Sequence, residues 1–96
     1  MNLNILGHDY EVQFVEHNQL DTSRNCGTCD MYRTILAIST NQSRTMQEST
    51  IIHEIIEAVN YCLELNLEHN KITALESGLY QVLKDNKLID FSKYIK

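Results

Sequence analysis

Residues 45–65, TMQESTIIHEIIEAVNYCLEL, decide the fold. Ile52, Ile55, Val59, Cys62 and Leu63 recur at helical spacing. Thr45 stands three residues before Glu48, the spacing of a capping box with Thr45 as N-cap and Glu48 reaching back. At about 100° per residue, Ala58, Ile51, Cys62, Ile55, Val59, Ile52, Leu63 and Ile56 fill a continuous apolar arc. Asn60, His53, Glu64, Glu57, Tyr61 and Glu54 occupy the rest. A helix of this kind needs an apolar partner.

Partners are expected on both sides. Downstream, after a break at 66–70, Ile72, Leu75, Leu79, Val82 and Leu83 share one face of a second helix ending near Asp85-Asn86. Upstream, Leu3 and Ile5, then Tyr10, Val12 and Phe14, alternate with polar residues across the turn-like Gly7-His8-Asp9, which predicts a β-hairpin. Residues 16–30 are polar and rich in turn formers and read as a loop, and residues 32–39 read as a third strand. The tail, 87–96, reads as a short final helix. The order predicts an α+β fold: a small three-stranded, antiparallel-type sheet followed by two packed helices, in a single domain over residues 1–96.

Composition bounds the function. The chain has 96 residues, 43% hydrophobic and 22% charged, as a folded protein with one modest core has. A net charge of −5 and a pI near 5.2 argue against a nucleic-acid partner. No apolar run reaches the ~20 residues that span a bilayer, and nothing resembles a signal peptide. The three cysteines are too few and too odd in number for a paired disulfide framework. A cytoplasmic protein is expected.

The chemistry of the first helix centres on Ile52-His53-Glu54-Ile55-Ile56-Glu57-Ala58. A His-Glu-x-x-His helix sets two imidazoles one turn apart for zinc, with the intervening Glu as base. Here Glu57 stands where the second imidazole would be. His53 and Glu57 are still one turn apart and reach a common point. This face is read either as a solvated polar surface or as the lining of a cleft. The second reading needs a third ligand, and His69, Glu76 and Tyr80 form a narrow stripe at the edge of the second helix. Of these, His69 is the better ligand and Glu76 the secondary one.

Residues 49–86, STIIHEIIEAVNYCLELNLEHNKITALESGLYQVLKDN, resemble the C-terminal part of short zincin-like proteins of phages and prophages. These are similar in style to minimal gluzincin domains of the ImmA/IrrE type. The resemblance covers about 40% of the chain, and it implies a metal site with His53 as first ligand and Glu54 as general base. It departs at Glu57, where the family has His, and at His69, near the family's acidic third ligand. The two exchanges together keep two imidazoles and one carboxylate. The resemblance therefore implies Zn2+ held by His53, Glu57 and His69 and a protein or peptide substrate; in such a site Tyr61 or Tyr80 is either an oxyanion donor or a packing residue. The alternative is a non-catalytic interaction protein on the same scaffold.

Cys26-Gly27-Thr28-Cys29 is a CxxC without the second pair of a zinc ribbon. It reads as a loop carrying two thiols, and Cys62 as a core residue. His8 and His17 read as surface residues.

Overall fold

The structure, a computed structural model, describes residues 2–16 and 26–95. Strand β1 (Asn2–Ile5) turns through Leu6 and Gly7 into β2 (His8–Val15). Both turn residues have positive φ, 52° and 87°, as a two-residue connection between twisted antiparallel strands requires. The turn thus precedes the expected Gly7-His8-Asp9, and His8 pairs with Ile5.

The rest of the sheet corrects the expected three-stranded antiparallel arrangement. A strand β3 (Gly27–Asp30) lies within the stretch read as loop, and a hairpin links it to β4 (Ile35–Ser39). Residues 17–25 of that stretch, His17 included, fall outside the described residues. The order is β1-β2-β4-β3, with β2 and β4 parallel and both outer pairs antiparallel. Residues 31–34 form a turn rather than the start of a strand, because Asp30 Oδ1 accepts from the backbone N–H groups of Tyr32 and Arg33.

One face of this sheet carries Tyr10, Val12, Leu36 and Ile38, all buried. Helix α1 (Arg44–Cys62) crosses it and adds Ile51, Ile52 and Ala58 to the same core. Burying each large side chain contributes roughly 1.5–3 kcal/mol. The N-cap is Ser43, not Thr45: the Ser43 hydroxyl accepts from Met46 N–H at 3.3 Å. Glu48 does not reach back, since it is buried and bound to Arg44, Tyr80 and Lys84. The helix ends before Leu63, so Cys62 and Leu63 are exposed rather than packed in the core. Asn60 Oδ1 accepts from Leu67 N–H at 2.9 Å and pins the following loop.

Helix α2 (His69–Asp85) packs on α1, rolled away from its expected orientation. Ile72 is buried and Glu76, Tyr80 and Leu83 are half-buried, whereas Leu75, Leu79 and Val82 are exposed. Glu76 and Tyr80 find charge-assisted partners on α1, and these set the roll against the simple apolar count. The tail forms a single 3-10 turn, Phe91–Lys93, whose Phe91 joins Ile95 in sealing the core.

Strand β3 presses closely on α1. A Cβ at Gly27 would lie 2.7 Å from Thr50 Cγ2, 2.8 Å from the Ala37 carbonyl oxygen and 3.2 Å from Glu54 Cγ. Gly27→Ala is therefore expected to destabilise the protein by about 1–3 kcal/mol through overpacking. Urea unfolding checks this; an unchanged midpoint would mean that β3 shifts freely over α1.

Candidate metal centre

The site forms where α1 and α2 face each other beneath β3. His53 is the hinge of the arrangement. Its Nδ1 lies 2.7 Å from Glu76 Oε1, and Ser49 Oγ, one turn earlier on α1, donates to Glu76 Oε2. A carboxylate on Nδ1 fixes the proton there and presents the Nε2 lone pair on the opposite side of the ring. Glu57 Oε2 lies 4.0 Å from that Nε2, and the His69 ring stands 5.2 Å from the His53 ring, centroid to centroid.

His53, Glu57 and His69 thus converge: one donor atom from each lies within 4.8 Å of the others. Zinc–ligand bonds of about 2.0–2.2 Å in tetrahedral geometry put donors roughly 3.4 Å apart. The donors present must close by an ångström or so. His69 is exposed and the Glu57 side chain is 36% exposed, so both have room to close, while His53 is held. Two imidazoles and one carboxylate, with a fourth side open to the cleft, suit a divalent ion such as zinc. Among the described residues this is the only group of His, Cys, Asp or Glu with such spacing.

Glu54 lies beside these residues, only 5% exposed beneath Gly27. Burial, with added repulsion from Glu57 and Glu76, pushes its carboxyl up to about 8. The cleft has two lobes, about 480 and 250 Å3, which share Gly27, His53, Glu54 and His69. Met31, Asn60 and Tyr61 line one lobe, and Met46, Thr73 and Glu76 the other. Strand β3 is one of the two edge strands of the sheet, and its Gly27, Thr28 and Cys29 line the opening.

The other residues singled out in the sequence separate clearly. Glu76 supports His53 instead of joining the three donors. Tyr80 is not in the cleft, and its hydroxyl donates to Glu48 Oε1 at 2.6 Å. Tyr61 lines the cleft, its hydroxyl 3.5 Å from that of the exposed Tyr32. His8 is exposed. Cys26 and Cys29 flank the two lobes, on β3 and just before it. Burial first, then the charges of Glu54 and other neighbours, push the Cys29 thiol up to about 12, and it meets Met31 Sδ at 3.2 Å.

Two positions that shape the site escaped the sequence reading. Ser49 is placed one turn before His53 on the same face, a spacing that was open to inspection. Gly27 carries no such signal.

Fold and site together define a small α+β protein with a three-donor candidate metal centre between two helices. Comparison with protein-family models, curated proteins and solved structures finds no match to this chain. No helix among the described residues is long and apolar enough to cross a membrane.

Proposed function

We propose that the protein is a small cytoplasmic zinc-dependent peptidase that holds its ion through His53, Glu57 and His69. The convergence of these three donors beside a buried carboxylate is the observation that carries this reading. When bound, the ion supplies Lewis acidity and a water of pKa near ~7. Glu54 takes the proton of the attacking water and returns it to the leaving amine. Glu76, braced by Ser49, keeps His53 in the tautomer that leaves Nε2 free. The edge of β3 offers backbone N–H and C=O groups to an extended peptide, and Tyr61 donates to the developing oxyanion. The zincin-like resemblance of residues 49–86 supports the same assignment.

The test is metal content. Protein purified without chelator and measured by elemental mass spectrometry is expected to carry close to one zinc per chain. His53→Ala, Glu57→Ala and His69→Ala each lose it. Glu76→Ala keeps all three donors and binds about 10–100-fold more weakly. No bound metal in the wild type, even after zinc is supplied, overturns the reading.

A further inference from the structure

The outer flank of α2 lies on the side of the molecule that the proposed chemistry does not use. Leu75, Leu79 and Val82 stand there 46%, 43% and 44% exposed, with nothing described covering them. Three apolar side chains in a row on one exposed flank are a candidate contact surface. Its charge pattern says which partner.

Lys71 and Asp85 each lie seven residues from Gly78, on opposite sides. At 100° per residue the three fall on one line of the helix, beside Leu75 and Val82. A Cβ at Gly78 would meet nothing within 4 Å, so another helix can come close at that point. Lys71 and Asp85 sit about 10 Å from it along the axis, at 1.5 Å per residue. If a second copy of α2 is laid antiparallel across Gly78, each Lys71 meets the Asp85 of the other copy. Val82 then covers Ala74, and Leu75 covers the stem of Gln81, on both sides of the two-fold axis. The surface is complementary to itself, as an isologous contact must be.

We infer that two copies of this chain associate through antiparallel α2 helices crossing at Gly78. Leu75 and Val82 provide the attraction; Leu79, about 100° round the helix from Gly78, stays at the rim of the contact. Exposed ion pairs contribute little energy, and here they choose the antiparallel direction over the parallel one, which would set Lys71 on Lys71 and Asp85 on Asp85. Among the described residues, no carboxylate forms an ion pair with Lys71 within the chain, so its charge is free for the other copy. One helix pair buries less than the roughly 800 Å2 per partner of a standard interface, so the dimer is of the weak, concentration-dependent class.

Sedimentation equilibrium from about 10 µM to about 1 mM tests this, a range suited to weak interfaces. The wild type is expected to shift from monomer to dimer across it. Val82→Glu stays monomeric, with its helical circular dichroism unchanged because the residue is half out of the fold. Lys71→Glu and Asp85→Lys each weaken association, and the double change Lys71→Glu/Asp85→Lys restores it. A wild type monomeric throughout overturns the inference. So does a dimer indifferent to Val82→Glu, or a double variant no better than the single ones.

Discussion

On the proposed peptidase reading, Glu54→Gln is expected to leave zinc in place and to lower peptide hydrolysis by about 10²–10⁴-fold, the range a general base contributes. The same change has an opposite effect on stability. In the folded protein without metal, burial and the neighbouring Glu57 and Glu76 push the Glu54 carboxyl from 4.5 up to about 8. Between those values the native state holds a proton that the unfolded chain has released, so stability falls as pH rises through that window. Each pH unit is worth about 1.4 kcal/mol, and the chelated protein therefore loses several kcal/mol on going from about pH 4.5 to about pH 8. Glu54→Gln removes the ionisation and flattens the slope. Denaturant unfolding of chelated protein at several pH values measures this. A wild type as steep as the variant would mean that Glu54 is solvated, not held in an apolar setting.

The second large effect lies away from the cleft. Glu48 is 3% exposed, yet two cations and a phenol surround it: Tyr80 and Lys84 donate to Oε1, and Arg44 Nε lies 3.3 Å from Oε2. Burial alone would raise its carboxyl. The hydrogen bonds from Lys84 and Tyr80, with the charges of Lys84 and Arg44, outweigh burial and hold it below the ordinary range. Glu48→Ala is expected to cost about 2–4 kcal/mol, for the loss of several charge-assisted bonds at one buried position. For a domain of this size that lowers the melting temperature by about 10–25 °C. Lys84→Met costs less, because Tyr80 and Arg44 remain to solvate the carboxylate. The pH profile follows from the sign of the shift. The contribution is fully present above the ordinary carboxylate range and is lost as acid protonates Glu48 in the folded state. Glu48→Ala should thus be less acid-sensitive than the wild type. Melting curves between pH 3 and 7 decide the matter.

The helix pair and the nearness of His53 to Glu57 were legible in the chain, because helical spacing places residues one turn apart on a common face; His69 comes from the other helix, and only the stripe there and the resemblance pointed to it. Several features were not. β3 is Gly-Thr-Cys-Asp, without the branched or aromatic run that marks a strand, and it forms because β4 offers it a ladder. The parallel pairing of β2 with β4 has no local signature at all. The roll of α2 went against its apolar count, since the partners of Glu76 and Tyr80 on α1 cannot be seen from α2 alone. Cys62 was misplaced for a geometric reason: it continues the apolar arc, but the helix ends there.

The parallel seam has a consequence for how the molecule assembles. Glu11 meets Ile35 across it, while every other strand pair is a hairpin formed by near neighbours in the chain. The β1–β2 hairpin and the stretch from β3 to α2 can each begin to form from short-range contacts, whereas the seam must close a long loop first. Gly27, Ser49, His53, Glu54, Glu57, His69 and Glu76 all belong to the second of these pieces. The N-terminal hairpin is thus expected to dock late, as a buttress to a cleft whose own residues all lie between 27 and 76.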